Sequence, residues 1–464
     1  MNENPSGKTE ELKKTLRPVD AVMIVVGNVI GVGIFTTTGF IAGDLPDAYL
    51  IMAVWALGGV LTLFGALTYG ELGAMFPRAG GDYIYLKEAY GPLAGFMVGW
   101  VGFFIINPGS MAALALGLTE YLLPLITGGA SGFSPVIQKL IAVLMVLLFT
   151  CINYVSVQWS SRAQNLLSGF NLLTIVIIVS AGFIFGSGSW ENFDYRSDTS
   201  SVSDLFGPAM VSVFFTYSGW FVSAYVASEI KNPQKALPMS LIISSLVVTV
   251  VYIAMNVFYI YALSIPSMDG VVDIARRASE SLLGGRASVL FSIMIVCAIL
   301  GSLNSVTLTA PRIYYAMAKD GLFPKRLGMV HPRFKTPYYS IAIQAVIACA
   351  LILAGNFYQL LSYTVFFMLL TCIVTAFGVF FLRFRKPHLN RPYKAWGYPF
   401  TTLVFVIAYA WISVRVFLYN PRDALIGIFI VLIGIPFFMY WRKKSAEEPV
   451  GIAGIPVIKD LEKP

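Results

Sequence analysis

Charge is scarce in this chain. Of its 464 residues only 12% are Asp, Glu, Lys or Arg, while 57% are hydrophobic. A soluble domain carries about 25% charged residues, so a water-facing globule has too little polar surface here and a lipid-facing exterior is required. Histidine is nearly missing. The two present, His331 and His388, sit in connections beside prolines, away from any place suited to intramembrane proton transfer. Cysteine is sparse as well. Cys151, Cys297, Cys349 and Cys372 lie in or at the ends of apolar runs, with a spacing that suits neither a disulfide framework nor a metal site; they read as small packing residues. No metal and no cofactor is expected. The net charge of +8 comes without a basic low-complexity tail or a zinc-like Cys/His spacing, so no nucleic-acid partner is expected. No cleavable signal peptide is expected either, because the first apolar run, from about Val19, is too long for a signal core.

What is present is a series of long apolar runs. A membrane helix needs about 20 mostly apolar residues. Five such runs cover 19–42, 47–75, 91–124, 136–157 and 164–186; five more cover 205–229, 238–264, 286–318, 337–355 and 358–383; two further ones cover 398–420 and 423–441. With the N-terminus inside, 24 Lys and Arg fall in inner segments and six in outer ones, while Arg312 and Arg415 fall within runs. That is a strong positive-inside bias. It predicts an all-α, multi-pass protein of the cell membrane with about twelve spans and both termini cytoplasmic. Val271–Leu283 is expected to form a short interfacial helix, and Lys319–Lys335 a loop with a short helix.

The first run is interrupted. Gly27-Asn28-Val29-Ile30-Gly31-Val32-Gly33 puts three glycines at its centre. Each costs about 1 kcal/mol against alanine in a helix interior. One reading is close helix packing through Gly27 and Gly31; the other is a broken helix whose freed N–H and C=O groups face a cavity. The sixth run has a similar centre, Phe214-Phe215-Thr216-Tyr217-Ser218-Gly219-Trp220-Phe221. If runs one to five and six to ten are inverted halves, these two occupy corresponding positions, and paired interruptions point to a midplane transport site. Free N–H groups suit a carboxylate and free carbonyls suit an ammonium.

These segments resemble the amino acid–polyamine–organocation superfamily, and within it the L-type amino acid transporter-like permeases. Val29-Ile30-Gly31-Val32-Gly33-Ile34-Phe35 is similar to the family's I-I-G-S-G-I-F. Glu71-Leu72, then Pro77-Arg78-Ala79-Gly80-Gly81-Asp82-Tyr83, is similar to its E-L…P-x-x-G-G-x-Y. Glu229-Ile230-Lys231-Asn232-Pro233 with Leu237-Pro238 is similar to E-I-x-N-P-x-x-x-L-P, and Gly301–Ser305, Arg312 and Ala318–Pro324 are familiar too. The resemblance implies a five-plus-five inverted repeat (19–186 and 204–383), two extra helices (398–441), a cytoplasmic N-terminus (1–18) and a cytoplasmic tail (442–464). It implies alternating-access transport of amino acids, by exchange or by symport with sodium or a proton. It places the substrate carboxylate at the backbone of Gly31, Val32 and Gly33, and the ammonium at carbonyls near Val29, Ile30, Phe215 and Ser218. Phe215 matches the aromatic that closes over substrate, and Thr216, Tyr217 and Trp220 belong to the same segment.

The chain departs from the family at three positions. Val32 replaces a serine, Asn171 replaces a lysine of helix five, and Phe221 replaces a residue that is often polar. Asn171 has both donor and acceptor and is a coupling candidate, as are Glu120 and Glu229; an apolar side-chain pocket is expected around Phe221. For Glu71 and Glu229, salt bridges at the inner helix ends are the alternative reading, and for Glu120 interfacial solvation. No cysteine stands between helices three and four, so no disulfide-linked partner is expected. A neutral amino acid is the leading substrate. A polyamine or cationic amino-acid permease is the runner-up, disfavoured because neither broken centre carries a carboxylate. A membrane enzyme lacks converging catalytic groups, and a non-transporting sensor stays open.

Overall fold

A computed structural model describes residues 12–127, 134–196, 202–271, 273–355, 357–419 and 421–447. Helices make up most of these segments. The reason is physical: hydrocarbon offers no partner to a peptide group, so each run must satisfy its own backbone. The helices are α1 (Pro18–Val29), α2 (Val32–Asp44), α3 (Ala48–Met75), α4 (Asp82–Tyr90), α5 (Pro92–Val101) and α6 (Asn107–Ile126), followed by α7 (Pro135–Val155), α8 (Val157–Phe185), α9 (Val202–Tyr217), α10 (Pro233–Ala262), α11 (Ile265–Met268) and α12 (Ile274–Leu283). The last are α13 (Gly285–Thr309), α14 (Pro311–Lys319), α15 (Tyr338–Ala354), α16 (Phe357–Arg385), α17 (Phe400–Tyr419) and α18 (Pro421–Glu447). Helices lie over all twelve apolar runs. Among the described residues, nine are long and apolar enough to cross a membrane, and the α1–α2 pair, bent by 41°, passes as a tenth. α15 is shorter, with 17 residues.

Local chemistry sets the boundaries. Asp47 caps α3 by accepting from the amides of Tyr49 (2.8 Å) and Leu50 (3.0 Å). Ser156 caps α8 in the same way. Pro18 opens α1, where its missing N–H costs nothing. Three features lay outside the sequence reading. Gly102–Ile106 forms a π turn that joins α5 to α6. α4 is a buried helix where a loop was expected. The eighth run is divided at Ala310, between α13 and α14. The expected outer helix is present as α12, and the 319–335 stretch holds one short 3-10 turn, Lys325–Gly328.

α1 packs against α8, α10 and α13, and α2 against α9. Polar side chains lock this core. The Asn153 amide donates to Asn304 Oδ1 (3.0 Å), Ser160 to the same oxygen (3.1 Å), and Asn304 to Gln164 Oε1 (2.8 Å). Interhelical hydrogen bonds of this kind contribute about 0.6–2 kcal/mol each in membranes. The result is a fixed frame from α7, α8 and α13 around the two interrupted helices.

Candidate functional site

The break in the first helix falls at Ile30 and Gly31. Ile30 leaves helical geometry (ψ 82°) and Gly31 is extended (φ −118°, ψ −155°). α2 therefore starts afresh at Val32, with no side chain capping its first amides. The first N–H groups of a helix have no partner within it, and those of Val32 and Gly33 are such groups. The sixth helix breaks in a matching way. α9 ends at Tyr217, the chain turns through Gly219 at φ +85°, and a 3-10 segment runs from Val222 to Glu229. Only glycine enters that left-handed turn without strain. A side chain at 219 would also collide with the Asn28 amide, which donates to Gly219 O at 3.2 Å.

The two breaks are held together by hydroxyls. The Tyr252 hydroxyl of α10 lies 2.7 Å from Val29 O and 3.0 Å from Thr216 O, so it bridges both. Thr37 and Thr216 meet at 3.0 Å. Ser302 of α13 lies within 3.0 Å of Gly27 O and 3.1 Å of Asn28 O, and Ser305 donates to Ile24 O at 3.1 Å. The carbonyls of Gly27, Asn28 and Val29 at the end of α1 thus have hydroxyl partners; burial without one would cost about 1–3 kcal/mol each.

Between the breaks lies a cavity with about 930 Å³ of unfilled space, its open mouth included. Val29, Gly31, Val32 and Gly33 line it from one break, and Phe215, Thr216, Ser218 and Phe221 from the other. Phe215 is half-buried, as an aromatic facing an open space must be. The wall away from the breaks is mixed: Ile106, Val306 and Met368 alternate with Asn107, Ser110, Thr309 and Tyr225. The expected apolar pocket is thus predominantly apolar, with these polar groups set into its wall. Asn107 follows the π turn; its amide nitrogen contacts Gly102 O (2.8 Å) and the Tyr314 hydroxyl (3.1 Å). No Asp, Glu, Lys, Arg or His stands among the described lining residues.

Three residues from the sequence reading stand elsewhere. Ile30 is fully buried and off the cavity, its amide donating to Val26 O. Tyr217 points away: its hydroxyl donates to Trp55 O (3.1 Å), and its ring meets Trp55 and Tyr252. Trp220 packs among Tyr69, Phe221 and Phe405, with its indole N–H on the Tyr409 hydroxyl (3.2 Å). Val29 lines the cavity, but its carbonyl already accepts from Gly31 N (2.8 Å) and Tyr252. The GxxxG alternative holds in part. Gly27 packs tightly on Gln164 and Ser168, whereas Gly31 faces Ser302 and the cavity.

The coupling candidates also sit apart from the breaks. Asn171 is buried against α13; with its amide turned so that nitrogen meets acceptor, it lies 3.2 Å from Met294 O and 3.1 Å from Ala298 N. Both its functions are taken by backbone, so it does not reach the unwound part of helix one. Glu229 is fully buried in a pair with Arg312 (2.7 and 3.3 Å). Glu120 is exposed and 3.4 Å from the Gln138 amide. Glu71, read as a helix-end salt bridge, pairs with Arg383 at 2.6 Å and with Arg391 at 3.5 Å. Among the described residues no group of His, Cys, Asp and Glu is placed to hold a metal.

This arrangement can hold a small molecule with an anionic end at the start of α2. Comparison with known proteins agrees. The chain is 31% identical over 442 residues to the serine/threonine exchanger SteT of Bacillus subtilis (strain 168), covering 94% of this chain and 98% of that protein. It is 32% identical to the Asc-type amino acid transporter 1 of Mus musculus, over 93% of this chain and 82% of that one. It is also 32% identical to the large neutral amino acids transporter small subunit 2 of Homo sapiens, with the same two coverages. The model of the amino acid permease family matches residues 16–440. With nearly its whole length matched and both helix breaks framing a cavity, this chain belongs to the amino acid permease family, a family of membrane transporters rather than enzymes.

Proposed function

We propose that the protein carries neutral L-amino acids across the cell membrane by alternating access, working as an exchanger. The observation that carries this reading is the absence of any acidic or basic side chain from the described cavity wall, beside unpaired amides at a helix start. A carboxylate is favoured at those amides by hydrogen bonding and by the helix dipole. A zwitterion brings its own counter-charge; a polyamine or a lysine side chain would bury a charge with no partner, which is costly. This disfavours the cationic alternative. Val32 N and Gly33 N receive the carboxylate. The carbonyls of Phe215 and Ser218 receive the ammonium: Phe215 O accepts from Ser218 N (3.1 Å) and keeps a second lone pair, whereas Val29 O already has two donors. Exchange is favoured over sodium symport because Asn171 is committed to α13 backbone, and because one relative bears the name of an exchanger. The same reading includes twelve spans, a repeat of 19–186 on 204–383, cytoplasmic termini at the basic end of the bundle, and no disulfide-linked partner.

The test is thermal stability of the purified protein against the twenty amino acids, with and without sodium. A ligand at about 100 times its dissociation constant adds about 2.7 kcal/mol. Stabilisation by small neutral amino acids, followed by their counterflow into preloaded liposomes without sodium, is the expected result. Stabilisation by polyamines alone would overturn the substrate class; uptake that needs sodium would overturn the exchange mode.

A further inference from the structure

Asp82 is a buried carboxylate of a different kind from the others. Glu71, Glu229 and Asp20 each have an arginine within reach. Asp82, fully buried at the start of α4, has no Lys, Arg or His partner among the described residues. Three neutral hydroxyls hold it instead, from three separate elements. Tyr69 of α3 donates to Oδ1 at 2.7 Å and Thr375 of α16 to the same oxygen at 3.0 Å. Tyr225, from the inner half of helix six, donates to Oδ2 at 2.6 Å. Tyr225 also belongs to the wall of the cavity between the breaks, so one residue of that wall holds the buried carboxylate through its hydroxyl.

The remaining titratable groups around Asp82 are Tyr85 on α4 itself and Cys372 on α16, with Tyr314 of α14 beside Tyr225. None carries a positive charge. Burial pushes the Asp82 carboxyl above its usual range, although the hydroxyls of Tyr225, Tyr69 and Thr375 pull it down. An unpaired charge in such a place is expensive, and neutralisation by a proton is the ordinary remedy.

We propose that Asp82 is a proton-binding site served from the cavity through the Tyr225 hydroxyl, and that proton binding loosens the tie between helix six and α3 and α16. Oδ2 accepts from the Tyr225 hydroxyl, and a carboxylate oxygen has a second lone pair for the proton. As Tyr225 passes its proton to Oδ2, its oxygen takes one from cavity water. One O–H bond forms on Asp82, one breaks and one forms on Tyr225, and hydroxide is left to the bulk. The new Asp82 O–H then donates to the Tyr225 oxygen, and the new Tyr225 O–H points to the cavity. A charge-assisted bond becomes a neutral one, roughly half as strong. The inner half of helix six is then freer to move, and transport speeds up as pH falls.

This rests on the transport reading above, so one arm of the test is independent of it. In the full-length protein without substrate, acidification should produce the infrared C=O band of a carboxylic acid, and Asp82→Asn should remove it; a band unchanged by that substitution overturns the site. In liposomes, L-serine uptake by the wild type should change about tenfold per pH unit above the titration. Asp82→Asn, whose amide imitates the protonated acid, should flatten this to about twofold or less, and Asp82→Glu should keep a slope. A folded Asp82→Asn with the wild-type slope overturns the proposal. If that variant fails to fold, Tyr225→Phe decides: loss of the slope supports the relay, and an unchanged slope overturns it. If L-serine is not carried at all, the transport reading fails while the infrared arm still decides the proton site.

Discussion

Gly33→Ala isolates the contact on which the cavity's geometry depends. A methyl group at 33 would stand 2.7 Å from Thr216 Oγ1, 2.8 Å from its Cγ2 and 3.0 Å from its Cα. Rotating the Thr216 side chain can vacate one of the first two positions but not both, since threonine carries two heavy atoms on Cβ. It cannot relieve the third, which is backbone, so α2 and α9 must move apart. Overpacking of this sort costs about 1–3 kcal/mol. The displaced element carries the Gly33 amide assigned to the substrate carboxylate, so the penalty falls on binding. At 1.36 kcal/mol per factor of ten, affinity should drop about 5- to 150-fold. Ligand-dependent thermal shift gives the dissociation constant directly. Thr216→Ala in the Gly33→Ala background removes Oγ1 and Cγ2 but leaves Cα, so it should restore part of the loss. Gly169→Ala is the control: nothing lies within 4 Å of a methyl there, and alanine should match the wild type or stabilise it by up to about 1 kcal/mol. Wild-type affinity in Gly33→Ala would refute both the close approach and the role of that amide.

Three further outcomes follow from the same contacts. Tyr252→Phe leaves Val29 O and Thr216 O without their shared donor; a loss of about 1–3 kcal/mol should lower the melting temperature and weaken binding together, and an unchanged Tm would refute the bridge. Arg312→Met strands a buried Glu229 and should destabilise by about 3–5 kcal/mol, whereas Arg312→Met with Glu229→Gln should recover most of it; melting of the two variants in one detergent compares them. Because folding raises the Asp82 carboxyl above its unfolded value, the native state holds that proton over a pH range in which the unfolded chain has released it. Its contribution to stability is therefore greatest below the unfolded value and falls as pH rises toward the folded one, and Asp82→Asn should remove that part of the slope in melting temperature against pH.

The helix breaks were legible because glycine and small polar residues sit where a membrane helix tolerates them least. Which side chains would face the cavity was only partly legible. Helical spacing from Phe215 cannot carry past Tyr217, since the chain leaves the helix there and turns at Gly219 with φ +85°. Trp220 is consequently directed to Tyr409, while Tyr217, two helical residues from Phe215 and so on the opposite side of α9, turns to Trp55. Asn171 shows the complementary difficulty. Gln164, Ser168 and Asn171 form one buried face of α8. Ser168 does meet helix one, donating to Met23 O at 3.1 Å. One turn further along, the neighbour has changed from α1 to α13, and the amide closes on Met294 and Ala298 instead. Spacing fixes a face; the crossing angle of two helices decides what that face meets.

The carboxylates make the same point in terms of energy. Glu71, Asp82 and Glu229 lie in motif segments and look alike in sequence, each close to glycine, proline or a helix end. Two meet arginines that arrive from 83 and 312 residues away. The third meets a threonine from 293 residues away and no cation. Removing an arginine from either pair leaves a stranded charge and a large penalty, so those pairs serve as fixed clamps. At Asp82 the protein supplies only neutral donors, so the charged and protonated forms stay close enough in energy for pH to choose between them. A fixed clamp suits the frame of the bundle. The adjustable tie falls on Tyr225, in the segment of helix six that also borders the cavity, where a transporter has use for a contact that can be released.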